Sequence, residues 1–464
     1  MSAIAEFVTH SQASSRASDA VLIEKYDGRI PRYTSYPTAA QFTPAVSADA
    51  YAEWLSALPL NEALSLYVHV PFCRRLCWYC GCNTRAVNRP DSLSDYVRYL
   101  RQEIFMLEQA LPGHMRVTSL HLGGGTPNML SRDDLTELFY GLRHVFKMSG
   151  EVAAELDPAV LTEEWVKAAV FHGLTRASLG VQDLTPEVQK AVNRIESFEV
   201  LARATGWLRA AGVPSINFDL MYGLPRQTVE GVLRTLDSVL TLRPDRVALF
   251  GYAHVPWMKP HQGLIDVAEL PGPVERLAQS RAAAGRLEDA GYVAIGIDHF
   301  ALPNDELALA SRAGQLHRNF QGYTTDRARA LIGIGASAIS HLPRGYVQNE
   351  TAEAAWRKLV EQERLPVARG VAFSGDDLFR GEIIERLMCD LAVDLPAICA
   401  AHGRAMAELA DARAALHAFV TDELVTDQDG RIEITSRGQP FVRAVCAAFD
   451  QHLDVSANRH ARVV

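Results

Sequence analysis

The ten residues "CRRLCWYCGC" at Cys73–Cys82 hold four of the seven cysteines in this 464-residue chain. On a helix the first three of them would share one face, so a buried stripe of thiols is one interpretation. Pro71 just before the stretch and Gly81 inside it instead favour a loop that wraps around a bound group. The stretch therefore indicates a binding site more than a piece of core.

Thiols in such a loop can serve a disulfide framework, a zinc site or an iron–sulfur cluster. The N-terminal residues lack the apolar segment of a secretory signal, and no stretch approaches ~18 consecutive apolar residues. The sequence thus predicts a cytoplasmic protein without a membrane span, where thiols stay reduced. A zinc site usually draws on two separated ligand pairs, and no second pair lies at a suitable distance. An iron–sulfur cluster, for which thiolates are the usual ligands, is the preferred interpretation over zinc or a core stripe.

Six short apolar runs, each followed by a helix-length amphipathic stretch, begin just before this loop. They are Leu64–Val70, Arg116–Leu122, Glu151–Leu156, Thr175–Val181, Ser215–Leu220 and Arg246–Tyr252. Six βα units predict an α/β fold with a parallel sheet and right-handed crossovers. Six is fewer than the eight of a closed TIM barrel, which favours a partial (β/α)6 TIM-like barrel. "YVAIGI" at Tyr292 indicates one further strand.

The residues with chemical potential stand at the ends of these runs, where function gathers in such folds. In chain order they are the cysteine loop, "GGGTP" (Gly123–Pro127), Glu155 with Asp157, Gln182 with Asp183, Asp219, and "GYAH" after the sixth run. The coincidence predicts one site at the carboxyl edge of the sheet.

Changes in composition and in the helix and strand patterns along the chain predict four segments. They are an N-terminal arm at residues 1–57, with 1–20 loosely held, a barrel at 58–300, a substrate-side extension and linker at 301–373, and a mainly helical domain at 374–464. In the last segment a hairpin around Asp429 and Gly430, followed by a helix, is winged-helix-like. Residues 375–464 carry 15 Asp and Glu against 9 Arg and no Lys, and the whole chain has a formal net charge of −9. This acidic balance argues against nucleic-acid binding and favours a structural or lid domain.

The cysteine spacing and "GGGTP" resemble the radical S-adenosylmethionine (SAM) superfamily, and Tyr79 before the third cysteine fits the same pattern. The resemblance implies that Cys73, Cys77 and Cys80 each bind one iron of a [4Fe–4S] cluster and that SAM chelates the fourth iron. Cys82 would then not be a ligand, because a fourth thiolate would close the SAM site. The reduced cluster would cleave SAM to methionine and a 5′-deoxyadenosyl radical.

Longer strings make the resemblance specific. "YVHVPFCRRLCWYCGCN", "PRYTSYPT", "LGVQDLTPEVQKAVNR", "DLMYGLP", "GYAHVP", "GIDHFALPNDEL" and "LHRNFQGYTT" are similar to those of the oxygen-independent coproporphyrinogen III oxidases, from about Leu22 to the C-terminus. Haem-chaperone homologues typically lack the fourth cysteine, the "RYTSYPT" arm and the "HRNFQGYTT" loop, and this chain has all three. A haem chaperone, or a radical SAM enzyme acting on another tetrapyrrole, remains the alternative.

The resemblance implies that the propionates on rings A and B of coproporphyrinogen III are oxidatively decarboxylated to vinyls, which gives protoporphyrinogen IX. It also implies two SAM molecules, a reducing electron donor such as flavodoxin or ferredoxin, and a monomer. Matching positions imply four contacts to the first SAM molecule: Tyr67, Gly124, Glu155 and Ile339. They imply seven contacts to the second: Tyr79, Gly125, Thr126, Gln182, Arg194, Asp219 and Ala253.

Each of these positions also has a plainer interpretation. Glu155 and Asp219 could cap helices, Gln182 could be a loop amide, and Arg194 and Ile339 could be surface and core residues. Four histidines are expected to be satisfied polar residues more than ligands: His69, His254, His299 and His317.

An acidic protein with a tetra-anionic substrate needs a local basic patch. Arg32 in the arm, with His317 and Arg318 in the "HRNFQGYTT" loop, are the candidates, against a purely structural role in tying the arm and loop to the barrel. We also expect the arm at Arg29–Thr38 to fold over the barrel mouth and exclude water and oxygen.

Overall fold

The computed structural model describes residues 17–89, 91–454 and 460–463. Residues 1–16 of the segment expected to be loosely held lie outside this range. The arm contributes two helices, α1 (Asp19–Tyr26) and α2 (Ala48–Ser56). The central part then alternates strands and helices in chain order: β1 (Ala63–Val70), β2 (Phe72–Cys73), β3 (Arg85–Ala86), α3 (Asp91–Ala110), β4 (Arg116–Gly124), α4 (Arg132–Val145), β5 (Lys147–Leu156), α5 (Glu163–Phe171), β6 (Arg176–Gln182), α6 (Pro186–Ala191), α7 (Phe198–Ala210), β7 (Ser215–Tyr222), α8 (Val229–Leu240) and β8 (Arg246–Gly251).

Two further groups of elements complete the chain. The first runs from α9 (Pro273–Asp289) through β9 (Val293–Ile295), β10 (His299–Ala301), α10 (Glu306–Arg312), β11 (His317–Asn319), β12 (Gly322–Thr324), β13 (Leu331–Ile334), β14 (Ile339–Leu342), β15 (Gly345–Asn349) and α11 (Glu353–Glu361) to β16 (Val367–Ala372). The second comprises α12 (Gly375–Asp390), β17 (Ala392–Asp394), α13 (Leu395–Ala401), α14 (Ala410–Thr421), β18 (Val425–Gln428), β19 (Arg431–Ile434) and α15 (Val442–Ala447).

One twelve-stranded sheet organises the barrel, in the order β16-β15-β14-β13-β1-β4-β5-β6-β7-β8-β10-β9. The six predicted strands β1 and β4–β8 are parallel neighbours, which confirms the predicted partial barrel of βα units. The further strand expected near Tyr292 is β9. β13 adds parallel to β1, and β14–β16 continue antiparallel. The segment 301–373 therefore supplies one flank of the sheet.

Burial on both faces of β1 shows how the barrel positions a site. From Leu64 to Val70 every residue of this strand is buried. Successive side chains alternate between faces, so Leu64, Leu66 and Val68 lie on one face and pack in the apolar cluster shared with the outer helices. Tyr67 and His69 lie on the other face, which lines the barrel interior. The interior thus carries polar groups, and its carboxyl edge is where the cysteine loop leaves β1.

The C-terminal domain is mainly helical, as predicted, and packs around a three-stranded sheet of order β17-β19-β18. The expected hairpin is present, with Gln428 opposite Arg431 and positive φ angles at Asp429 and Gly430. A reciprocal capping box at Ser374 and Asp377 begins α12, where the chain passes from the barrel to this domain. None of the helices in the described ranges is long and apolar enough to cross a bilayer.

The arm is part of the C-terminal domain's core. Leu22, Ile23, Tyr26, Tyr33 and Tyr36 share one apolar cluster with residues of α12–α15. The Tyr26 ring stacks on Phe419 with centroids 4.5 Å apart, and the Tyr33 hydroxyl donates to Asp450 at 3.1 Å. The two ends of the described chain also meet, since the amide of Val463 donates to the Gly28 carbonyl at 3.0 Å.

Candidate active site

The cysteine loop lies at the carboxyl edge of the sheet, and a short parallel pairing of β2 with β3 closes it. The Cys73 sulfur is 3.1 Å from the Thr84 hydroxyl and receives a hydrogen bond from Thr126 at 3.3 Å. An Arg194 guanidinium nitrogen donates to the Cys77 sulfur at 3.7 Å. The Cys82 amide donates to the Cys80 sulfur at 3.4 Å. The three expected ligand thiols therefore each contact a donor from a different part of the site, and these contacts orient them.

The backbone of this loop is held from outside by the segment that follows β8. The Lys259 ammonium donates to the Cys82 carbonyl at 3.0 Å, and the Gln262 amide donates to the Tyr79 carbonyl at 2.9 Å. The His261 ring bonds the Cys80 carbonyl at 2.8 Å. These three side chains were not among the residues predicted from the sequence. The feature that could have indicated them is the polar, Pro-containing stretch directly after the sixth strand, because functional residues gather at strand ends in such folds.

The cysteine thiols lie close enough together to shift one another's pKa. Burial raises the pKa of Cys73, and its neighbours Cys80 and Cys77 add to this. A hydrogen bond from the Cys82 thiol lowers the pKa of Cys80 to about 7 against the effect of burial, while the pKa of Cys82 is raised well above its usual value. In the described ranges no three His, Cys, Asp or Glu side chains are arranged to hold a single metal ion. A thiol donor set of this kind fits an iron–sulfur cluster, whose irons are held by Cys thiolates.

The glycine-rich end of β4 brings backbone against the loop. Gly124 has a φ of +105°, and a side-chain Cβ there would lie 2.5 Å from the His69 ring. A Cβ on Gly125 would lie 2.6 Å from the Phe72 carbonyl oxygen. Only glycine permits both the conformation and the approach. The Gly124 amide donates to a Glu155 carboxylate oxygen at 3.0 Å, so the second and third strand ends are linked.

Tyr67, His69 and Asn83 form a short hydrogen-bonded chain from the barrel interior to the cysteine loop. The His69 Nε2 lies 2.9 Å from the Asn83 carbonyl, which can only accept, so this nitrogen carries the proton. Its Nδ1 then accepts from the Tyr67 hydroxyl at 2.9 Å. Burial lowers the pKa of His69, which favours this neutral form. His69 is thus a satisfied polar residue, as expected, and it holds Tyr67 in place.

Glu155 and Asp219 both face the barrel interior, and their pKa values are shifted in opposite directions. Burial acts to raise the pKa of Glu155, but hydrogen bonds from His121 and the Gly124 amide, with the His121 charge, bring it below its ordinary value. The His121 ring lies 3.0 Å from the carboxylate, and the sequence analysis missed this residue although it precedes the glycine run by one interior-facing step. Burial raises the pKa of Asp219 despite hydrogen bonds from Ser178 and Asn217. Because its lowered pKa favours the charged form, Glu155 is better suited than Asp219 to bind a cation.

Arg194 and Gln182 sit behind the cysteine loop at the end of β6. Arg194 is buried and donates to the Gly180 carbonyl at 2.6 Å, with Asp157 and Glu196 at 3.3 and 3.1 Å. It is therefore not the surface charge of the plainer interpretation. Gln182 has a φ of 67°, which is uncommon for a non-glycine residue and turns the chain sharply at the strand end.

The remaining expected contacts lie on the flanks. Ala253 is the second residue after β8, next to Tyr252, whose hydroxyl lies 2.9 Å from the His254 ring. Ile339 begins β14 and is half-buried. Tyr67 is opposite Gly333 in the sheet, and a Cβ on Gly333 would touch the Ile339 backbone at 2.6 Å. Ile339 is thus two strands away from Tyr67, on the side of β1 opposite to the glycine run.

The candidate basic residues differ in how freely they could meet an anion. His317 lies 3.2 Å from the Glu385 carboxylate, and the His299 ring 2.7 Å from Asp298, so both have carboxylate partners. Arg318 lies over the Tyr323 ring at 4.4 Å, and two of its nitrogens are buried without a hydrogen-bond acceptor. Arg32 donates to the Gly251 carbonyl at 2.8 Å.

Comparison with known proteins places this arrangement in a family. A family model of the radical SAM superfamily matches residues 67–239, and one of the HemN C-terminal domain matches residues 373–441. The oxygen-independent coproporphyrinogen III oxidase of Bradyrhizobium diazoefficiens is 47 % identical over 438 residues, 94 % of this chain and 97 % of that protein. The chain belongs to the oxygen-independent coproporphyrinogen III oxidases. The enzyme of the same name from Salmonella typhimurium is 38 % identical, covering 94 % of this chain and 95 % of that protein.

The fold agrees with this family throughout. The solved structure of coproporphyrinogen III oxidase (HemN) from Escherichia coli, a radical SAM enzyme, superposes with a TM-score of 0.88 at 36 % identity, covering 94 % of this chain and 100 % of that one. Membership of the radical SAM superfamily implies a [4Fe–4S] cluster and SAM as cofactors. The thiol loop, the crowded glycine backbone and the low-pKa carboxylate of Glu155 fit these groups.

Proposed function

We propose that this protein catalyses the anaerobic oxidative decarboxylation of coproporphyrinogen III, converting the propionates of rings A and B to vinyls and giving protoporphyrinogen IX. The observation that carries the proposal is identity of 47 % along nearly the full length of a relative of that name, together with a thiol loop set against a glycine-rich strand end. We further infer that it works in the cytoplasm as a monomer, with a one-electron protein reductant such as flavodoxin or ferredoxin.

In this proposal Cys73, Cys77 and Cys80 hold three irons and leave the fourth to SAM. Glu155 binds the methionyl amino group of the first SAM molecule, because a carboxylate with a lowered pKa stays charged beside an ammonium. Tyr67, Gly124 and Ile339 complete that contact set. A second SAM molecule would meet the other seven expected residues: Tyr79, Gly125, Thr126, Gln182, Arg194, Asp219 and Ala253.

A bound, reduced cluster would supply the electron that splits SAM and so a 5′-deoxyadenosyl radical able to take a hydrogen atom from the propionate β-carbon; loss of CO2, with one electron passed to an acceptor, would then give the vinyl group. The chain's own residues prepare this event. His69 and Asn83 hold Tyr67, and His121 and the Gly124 amide hold Glu155. The arm and the C-terminal domain share one apolar cluster, and Arg32 from the arm donates to the Gly251 carbonyl at the end of β8. These contacts support the proposal that the arm covers the barrel mouth. This cover supports exclusion of water and oxygen from the reacting edge.

The test is anaerobic reconstitution of the cluster followed by turnover with SAM, a chemical reductant, an added electron acceptor and coproporphyrinogen III. We expect 5′-deoxyadenosine and CO2 to accumulate in step, two of each per divinyl product, with a monovinyl tripropionate intermediate appearing first. Porphyrins and nucleosides are separated by liquid chromatography after oxidation.

The same experiment addresses the haem-chaperone alternative. A chaperone has no need to couple SAM cleavage to loss of CO2. SAM cleavage without CO2, together with tight one-to-one haem binding, would overturn the proposed function.

A further inference from the structure

A cavity of about 390 Å³ lies where the arm, the barrel and the C-terminal domain meet. Its lining reaches Ala253 at the end of β8, so it adjoins the candidate active site. The charged residues of its lining are six arginines and two acids: Arg29, Arg32, Arg276, Arg281, Arg443 and Arg462, with Asp298 and Glu288. This is a strongly positive enclosure in a protein whose net charge is −9.

Among the described residues, four of these arginines have no carboxylate within ion-pair distance, and one of the four, Arg29, lies over an aromatic ring instead. Arg281 pairs with Asp19, Arg462 pairs with Asp27, and Arg29 lies over the Trp257 ring at 4.4 Å. Over the described ranges, no carboxylate comes within ion-pair distance of Arg32, Arg276 or Arg443, whose side chains donate only to backbone carbonyls. The acceptors are Gly251 for Arg32, Tyr252 for Arg276, and Ile30, Arg462 and Val463 for Arg443.

The environment of these three guanidinium groups is unfavourable to their charge. Burial lowers the pKa of Arg32 and of Arg276, and it lowers the pKa of Arg443 to about 10, where the charges of Arg32 and Arg276 act in the same direction. The Nε of Arg276 is buried without an acceptor.

The nearest acids do not neutralise this cluster. Asp298 attracts Arg32 but lies 2.7 Å from the His299 ring, and Asp27 attracts Arg443 but is bound to Arg462. Arg443 is 8 % exposed and Arg276 is half-buried, whereas Arg32 is exposed where it lines the cavity. Arginine is rarely buried unless it is paired, and a charge withdrawn from water is costly without a counter-charge. The cavity therefore lacks an anion, which a ligand would supply.

We propose that Arg32, Arg276 and Arg443 form a carboxylate subsite that holds the two propionates of the substrate that the reaction leaves intact. The proposal rests on the proposed function for the identity of the substrate. Guanidinium forks match carboxylates in shape and donate two hydrogen bonds each. The volume suits one edge of the macrocycle with its side chains, and the opposite edge then lies toward the strand ends at Ala253.

The three arginines come from three different parts of the chain. Arg32 comes from the arm, Arg276 from α9 of the barrel, and Arg443 from α15 of the C-terminal domain. The subsite exists only when all three parts are assembled, which gives the arm and the C-terminal domain a role in substrate binding as well as in covering the barrel mouth.

The test compares reconstituted protein with Arg276→Gln and Arg32→Gln variants. Arg286→Gln is the matched control, because it removes the same charge from the same helix at an exposed pair with Asp237. Coproporphyrin III, the stable oxidised tetracarboxylate, is titrated into each protein and its fluorescence is followed. We expect about tenfold weaker binding for each cavity variant, as for the loss of one charge-assisted hydrogen bond, and unchanged binding for Arg286→Gln.

Turnover adds a second readout. The intact propionates would be held through both decarboxylations, so both cavity variants should raise KM for coproporphyrinogen III and release more of the monovinyl intermediate into solution. Their cluster absorption should match that of the unchanged protein.

Thermal unfolding without ligand separates a binding role from a structural one. Removing an unpaired, half-buried charge should leave the unfolding temperature of Arg276→Gln equal to or above that of the unchanged protein. A structural role predicts a lower temperature with unaltered porphyrin binding, which would refute the subsite. Arg276→Lys keeps the charge but not the fork, and partial recovery of binding in this variant supports it.

The outcomes for the subsite and for the proposed function are distinct. If the unchanged protein forms vinyl products while Arg276→Gln and Arg32→Gln bind coproporphyrin III as tightly as it does, the subsite is wrong and the function stands. If binding depends on these arginines but no vinyl product forms, the subsite stands and the proposed function is wrong.

Discussion

At the scale of single residues, Cys82 and Cys80 stand two positions apart and contact different partners. The Cys80 sulfur accepts a hydrogen bond from the Cys82 amide, and the Cys80 carbonyl is held by His261, whereas Cys82 is exposed and has its carbonyl held by Lys259. A residue whose backbone donates to a proposed ligand thiol can influence the cluster without binding iron. This distinction is testable.

We expect Cys73→Ser, Cys77→Ser and Cys80→Ser each to abolish or strongly weaken the cluster, because a serine hydroxyl replaces an iron ligand, while Cys82→Ser still assembles it. Iron content and the broad visible absorption after anaerobic reconstitution are the measurements. Cys399→Ser is the control, since this thiol is buried in the C-terminal domain. A Cys82→Ser protein that holds no iron beside a Cys80→Ser protein that does would reverse the assignment.

His341 gives the stability a pH dependence of known sign. Its ring stacks on Tyr346 with centroids 4.6 Å apart, and burial lowers its pKa from 6.5 to about 4. Between these values the unfolded chain binds a proton that the folded chain does not, so the free energy of unfolding falls as the pH decreases. The full effect of this group is at most about 3 kcal/mol.

We expect His341→Phe to lose less stability than the unchanged protein between pH 7 and pH 5, as measured by urea unfolding. His114→Phe, at an exposed position, is the control and should follow the unchanged protein. Other titrating groups, such as Glu103 whose pKa burial raises to about 7, cancel in this comparison. Equal pH slopes for His341→Phe and the unchanged protein would contradict the prediction.

The arginines of the proposed subsite mark the limit of sequence reasoning at this scale. Arg32 was foreseen because the arm is a recognisable string. Arg276 and Arg443 were not, because each is one arginine on an amphipathic helix, and nothing local distinguishes it from a solvated charge. Only the packing of the barrel against the C-terminal domain brings both side chains to one cavity.

At the scale of elements, the six parallel strands were predictable because each has an apolar run followed by a helical period. The strands β13–β16 were missed, since their short runs are separated by turns such as Pro343–Gly345 and carry no helix between β13 and β15. The start of β5 at Lys147 was also missed, because Ser149 and Gly150 interrupt its apolar pattern. Pairing with neighbours, which the sequence does not display, completes these strands.

The arm helix α1 carries the clearest prediction at this scale. Tyr26 stacks on Phe419, and its hydroxyl donates to Asp422 at 2.6 Å. We expect Tyr26→Ala to lower the free energy of unfolding by about 3–5 kcal/mol, as for other large aromatic truncations in a core. Thermal or urea unfolding measures it.

Tyr140→Ala is the matched control, because this tyrosine is 62 % exposed on α4 and its truncation should change stability by about 0.5 kcal/mol or less. Equal effects of the two substitutions would mean that α1 does not belong to the C-terminal core.

At the scale of the whole molecule, the arm has a packing role in addition to the cover expected from the sequence. It completes the core of the C-terminal domain and joins that domain to the end of β8 through Arg32. The winged-helix-like arrangement therefore has one flank occupied by the chain's own arm.

The charge of this domain leads to a prediction about partners. With 15 acidic and 9 basic residues between 375 and 464, it should repel a phosphate backbone. We expect no binding of the full protein to a fluorescent 20-base-pair duplex at 50 mM salt, measured by anisotropy. Binding that weakens steeply as salt rises would instead reveal a basic surface able to read DNA.

The union of the arm with the C-terminal domain has a consequence for how the protein is made. The arm leaves the ribosome well before the helices α12–α15 that bury Leu22, Tyr33 and Tyr36. At about 5–20 residues per second, the intervening chain takes roughly 15–70 s to synthesise. Throughout that interval the arm's apolar side chains have no permanent partner, which makes the nascent chain a natural client for a holding chaperone and makes completion of translation a condition for closing the molecule.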